Sequence, residues 1–129
     1  METNTESPTL RDAVAVFLLD CEARNFTLST LTYYRYRLGL LLAHFSAPIS
    51  LSHVTSTHIR QHLTDLGHRG HGGYSQLGSY RAARAFFNFC IREGWLSKSP
   101  TATMRRYLLL TGDDLRTAQK RFGVVDAMT

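Results

Sequence analysis

One stretch constrains this chain more than any other: positions 76–93, QLGSYRAARAFFNFCIRE. Leu77, Tyr80, Ala83, Phe87, Cys90 and Ile91 recur at helical spacing, which predicts a helix with one apolar face. The opposite side carries Gly78, Arg81, Asn88 and Arg92, flanked by Ser79 and Arg84, and it meets no acid until Glu93. A helix that packs on one face and offers arginine and short polar groups on the other suits a DNA major groove. A bundle helix with a solvated basic face has the same pattern, so the rest of the chain must separate the two readings.

Charge along the chain points the same way. The net charge is +5, yet from Arg24 through Arg106 there are eleven Lys or Arg against two acids, Asp65 and Glu93. The other acids lie in the first 22 residues and after Leu110. A basic middle between acidic ends fits a polyanionic partner, because each neutralised phosphate releases counterions. Basic surfaces also occur on proteins that bind nothing charged.

The remaining periodicity predicts three further helices before this one. Thr9 followed by Asp12, or Ser7 followed by Pro8, gives the first helix its start. Leu10, Val14, Phe17, Leu18 and Cys21 share its face, and it ends near Asn25. Thr27 caps a second helix, LSTLTYYRYRLGLLLAHF, with the stripe Leu31, Tyr34, Leu38, Leu41 and Phe45. Thr30, Tyr33 and Arg37 share one flank of it and Arg35 lies on the other, a mixture that offers phosphate donors or simply packs and solvates. After the connector SAPISLSHV, Thr55 caps a third helix over 56–66, burying Ile59, Leu63 and Leu66. A loop with four glycines from Gly67 to Gly73 follows, and Ser75 is the expected cap of the fourth helix.

Several function classes find no support. Hydrophobic residues make up 43% and charged residues 19%, a globular balance with no run near the roughly 20 apolar residues of a membrane span. The polar start METNTESPT reads as a disordered tail over 1–8, so a soluble, cytoplasmic protein with no membrane partner is expected. Cys21 and Cys90 fall on apolar helix faces and read as buried free thiols. His58 and His62 are one turn apart and His68 and His71 are close, but no ligand set is completed, and surface or DNA-facing histidines are expected. No nucleophile elbow, Walker motif or carboxylate pair is present, so neither cofactor nor metal is expected.

Taken in order, DAVAVFLLDCEARNFT, STLTYYRYRLGLLLAHF, HVTSTHIRQHLTDL and SYRAARAFFNFCIREGWLSKSP resemble the core-binding domain of tyrosine recombinases. This is the SAM-like, four-helix N-terminal half of phage integrases and Xer-type recombinases. Thr27, Thr30, Leu31, Tyr34 and Leu38 fit its second helix, and Val54, Thr55, Ile59 and Leu63 its third. Arg84, Phe86, Phe87, Gly94, Trp95 and Pro100 fit the ending of its fourth. The resemblance implies an all-α fold, with residues 9–100 as a DNA-binding domain that forms half of a clamp on duplex DNA. It places Thr30, Tyr33, Arg35 and Arg37 near DNA from the second helix, and Gln76, Ser79, Arg81 and Arg84 from the fourth. Lys98, Arg105 and Arg106 fall where the family's linker tracks the backbone.

Residues 101–129 read as a basic linker and a C-terminal helix. Gly112, Asp114, Leu115, Arg116, Thr117, Gln119 and Gly123 resemble a segment near the end of the recombinase catalytic domain, but Val124 stands where that family has its active-site His. A fifth amphipathic helix, docking through Leu115, Ala118 and Phe122, is the other reading of this segment. No tyrosine follows Tyr107, so the nucleophile that would form a phosphotyrosyl bond has no counterpart. The expectation is therefore non-catalytic binding of duplex DNA, with recombinase subunits or self-association through the C-terminal helix as further partners. The competing expectation is a protein-interaction bundle that docks on a recombinase subunit and modulates its assembly, marked by an exposed apolar patch around Phe86, Phe89 and Trp95.

Overall fold

A computed structural model describes residues 7–104 as an all-α bundle of four helices. These are α1 (Leu10–Ala23), α2 (Leu28–His44), α3 (Ser56–His68) and α4 (Gly73–Arg92). The tail before Ser7, Arg105, Arg106 and the C-terminal segment lie outside the described residues.

Threonines start the first three helices. Thr9 accepts a hydrogen bond from the Asp12 N–H, and Thr27 from the Thr30 N–H. At α3 the Thr55 hydroxyl accepts from the His58 N–H while His58 Nδ1 accepts from the Thr55 N–H at 3.0 Å. This is a reciprocal capping box with histidine in the usual Glu or Gln position. The fourth helix departs from expectation: Gly72 is its N-cap, with no side-chain cap, and Ser75 lies inside the first turn. The glycine loop is correspondingly short, since α3 runs to His68 and α4 begins at Gly73.

Three helices stop in the same way. After α1 the Phe26 N–H bonds to Cys21 O and the Asn25 N–H to Glu22 O, with Asn25 at φ 61°. Gly70 (φ 89°) closes α3 and Gly94 (φ 81°) closes α4 with the same pair of bonds. This left-handed cap satisfies two orphan carbonyls each time and turns the chain sharply toward its next packing partner.

Those turns place α4 at the centre, in contact with each of the other helices. It buries Leu77, Ser79, Tyr80, Ala82, Ala83, Phe86, Phe87, Phe89 and Cys90, a wider arc than the single stripe read from periodicity. Phe17 of α1 sits edge-on to Tyr34, Phe86 and Phe89, at centroid distances of 5.2, 5.7 and 5.3 Å. The Trp95 ring meets Phe89 at 5.8 Å. The expected exposed patch is therefore corrected: Phe86 and Phe89 are buried and Trp95 is partly buried against them. At the N-terminus, Leu10 N–H bonds to Ile49 O and Leu51 N–H to Pro8 O, tying the entry of α1 to the α2–α3 connection. Both cysteines are buried and free, and burial pushes the Cys90 thiol up to about 12.

Candidate nucleic-acid interface

The flank of α2 that mixes aromatic and basic residues faces α4 across a polar seam. The Tyr33 hydroxyl donates to Gly78 O at 2.8 Å. Arg37 Nη1 donates to Ser75 O at 2.9 Å, to Ser75 Oγ at 2.7 Å and to Ser79 Oγ at 3.2 Å. The guanidinium carbon also lies 5.5 Å from the ring centroids of both Tyr33 and Tyr36. Gly78 belongs to this contact: a Cβ there would stand 3.3 Å from both the Tyr33 hydroxyl and an Arg37 nitrogen. A side chain at this position would push the Tyr33 hydroxyl and the Arg37 guanidinium back by a few tenths of an ångström, so glycine suits the close approach of the two helices.

Several expected DNA-facing residues are thus engaged inside the bundle. Ser79 is buried at 3% exposure, which corrects its expected place on the polar flank; the packing of α2 over this edge of α4 encloses it. Gln76 donates its amide to Leu63 O at 2.8 Å and holds α4 to α3. Thr30 accepts the Thr27 hydroxyl at 3.0 Å within the first turn of α2. Arg35 is exposed on the other flank, 3.7 Å from Glu22 of α1. Arg81, Arg84 and Lys98 are exposed, and among the described residues none of them has a carboxylate within ion-pairing distance.

The open face of α4 therefore reads Tyr74, Arg81, Arg84 and Arg92 at its most exposed positions, with Gly78 and Asn88 between them. It carries three cations and no acid. An uncompensated stripe of this kind raises local positive potential and concentrates polyanions. Signals for the seam were present in the sequence, where Tyr33 and Arg37 lie one turn apart and Ser75 and Ser79 likewise, but nothing local pairs residues so distant along the chain.

Histidine placement also differs from expectation. His62 is buried at 1%, its two ring nitrogens make no hydrogen bond among the described residues, and its ring lies 5.4 Å from that of His44. Burial, then the neighbouring His44, lowers its pKa to about 4. His44 Nδ1 stands 3.2 Å from Asp65. Among the described residues no three potential metal ligands come together, and no helix is long and apolar enough to cross a membrane.

The chain superimposes on a lambda integrase, solved as a dimer bound to a COC′ core site, with a TM-score of 0.70. The fold is integrase-like. The match covers 78% of this chain and 28% of the integrase, at 18% sequence identity. No family model matches the sequence, and no curated protein matches it.

Proposed function

We propose that this chain binds duplex DNA without catalysing a reaction on it, in a process related to site-specific recombination or integration. The observation that carries the reading is the acid-free face of α4, where Arg81, Arg84 and Arg92 project from a helix anchored on three others. The lambda integrase that shares the fold was solved bound to a core site, and this supports duplex DNA as the partner. In this reading residues 9–100 form a core-binding domain, half of a clamp. Arg81 and Arg84 anchor phosphates, Arg81 also reaches base edges, and Lys98, Arg105 and Arg106 follow the backbone beyond the helix. Arg37 and Tyr33 act one step back, by fixing α4 against α2 so that its arginines point outward together.

The role proposed is binding alone: Val124 stands where the recombinases have their active-site His, and no step of strand transfer is assigned to any residue of this chain. The test is a salt titration of binding to random-sequence duplex DNA, for wild type and Arg81→Ala/Arg84→Ala. Affinity should fall steeply with salt, and the slope should flatten by about 2 when two phosphate contacts are lost. Salt-insensitive binding, or none at low salt, would overturn the proposal.

A further inference from the structure

The chain does not leave the bundle when α4 ends. Gly94 reverses its direction, the Trp95 N–H returns to Cys90 O, and the indole packs edge-on against Phe89. Further on, Ser99 Oγ accepts from the Thr101 N–H at 3.0 Å and lies 2.7 Å from the Thr101 hydroxyl. Both residues are buried, and Met104 is buried at 1%. A segment with no helix of its own is thereby anchored on α4 through Trp95 and buried again at Ser99, Thr101 and Met104, with Lys98 exposed between them.

Between this segment and α4 lies an open cleft of about 480 Å³. Arg84 and Asn88 line it from the helix, Ser97 and Lys98 from the returning segment, and Tyr80 contributes a buried wall. Its lining includes two cations and no carboxylate. The hydroxyls of Ser99 and Thr101 are engaged with each other, and each remaining polar group of the lining that the proposal uses can donate: the guanidinium, the ammonium, the Asn88 amide NH2 and the Ser97 hydroxyl. Two cations lining one hollow repel each other until an anion lies between them. A phosphate neutralises both and accepts charge-assisted hydrogen bonds from each side.

We propose that this cleft is a phosphate site, in which Arg84 and Lys98 hold one phosphate group between them and Asn88 supplies a third donor. The inference rests on the DNA reading for its source, a backbone phosphodiester of the duplex. A free phosphate offers the same chemistry, and the experiment separates the two.

Full-length Arg84→Gln, Lys98→Gln and the double variant are compared with wild type, with Arg81→Gln as a variant of the open helix face. All three positions are exposed, and unchanged urea midpoints confirm intact folding. Against random-sequence duplex DNA, the double variant should bind about tenfold or more weakly. Its salt slope should fall by about 0.9, the value for one shared phosphate, and not by the roughly 1.8 of two separate contacts. In parallel, inorganic phosphate should shift the backbone amide resonances of Asn88 and Lys98 in wild type and leave them unmoved in the double variant. If Arg81→Gln weakens DNA binding while the double variant keeps affinity and slope, the DNA reading stands and the cleft proposal is overturned. A slope change near 1.8 also overturns it. If wild type binds no DNA, the DNA reading fails; phosphate-dependent shifts then support the cleft as a site for free phosphate, and their absence rejects the cleft too.

Discussion

The Arg37 guanidinium and the Ser79 hydroxyl meet at 3.2 Å beneath the seam of α2 and α4, 42 residues apart in sequence. The same nitrogen reaches Ser75 twice, so one cation fixes the first two turns of α4. Arg37→Ala removes all of these bonds and leaves the buried Ser79 hydroxyl without its guanidinium donor. It should destabilise the fold by about 2 kcal/mol, and Tyr33→Phe by about 1 kcal/mol. Urea unfolding should show a lower midpoint with unchanged slope. Weakened DNA binding at an unchanged midpoint would instead make Arg37 a direct contact.

Arg35 and Arg81 should separate under mutation although both are exposed arginines. Arg35 faces Glu22 of α1, whereas Arg81 stands on the acid-free face of α4. Arg81→Ala should flatten the salt dependence of DNA binding by about 1, and Arg35→Ala should leave it nearly unchanged. Equal losses would move the interface toward α2.

Stability should fall on mild acidification because of His62. Its pKa drops from 6.5 to about 4 in the fold, so across that interval the unfolded chain binds more protons than the native one. The contribution is complete above pH 6.5 and disappears as the pH falls toward 4, a loss of about 3 kcal/mol. Urea midpoints measured from pH 7 to 4 should follow this course, and His62→Leu should flatten it. A midpoint that stays constant in wild type would show that His62 is solvated.

Glycines in α2 and after α4 should respond in opposite directions to alanine. Gly39 is exposed within α2, and a Cβ there would meet nothing within 4 Å. Gly39→Ala should therefore stabilise the fold by about 0.5–1 kcal/mol through helix propensity. Gly94 sits at φ 81° in the turn that ends α4, so Gly94→Ala should cost about 1–2 kcal/mol. Thermal unfolding distinguishes the two directions.

Much of this architecture was legible because its signals are local. Thr9, Thr27 and Thr55 each precede an apolar stripe, and each caps the helix that bears it. The start of α4 was not legible: Ser75 resembles a cap, but a guanidinium arriving from α2 takes its hydroxyl. Burial of Ser79 was hidden for a related reason. Periodicity reports one stripe, while a helix with three neighbours buries adjacent positions too, as Ala82–Ala83 and Phe86–Phe87 do. His62 carried a usable signal, since it lies three residues after Ile59 and beside Leu63 on the buried side of α3. Of the face expected to meet DNA, Arg81 and Arg84 project as the spacing implied, and Gln76 and Ser79 are turned to internal bonds.

The two buried thiols give this protein a built-in clock. A thiolate is the species that alkylating reagents attack, and Cys90, at about 12, offers almost none at neutral pH while it stays enclosed. Cys21 is buried in the same core, on α1. Labelling must then wait for the chain to open, so the two modification rates time how often each helix leaves the bundle. Equal rates would mean that α1 and α4 part from the core in one event; a faster Cys21 would mean that α1 peels away first.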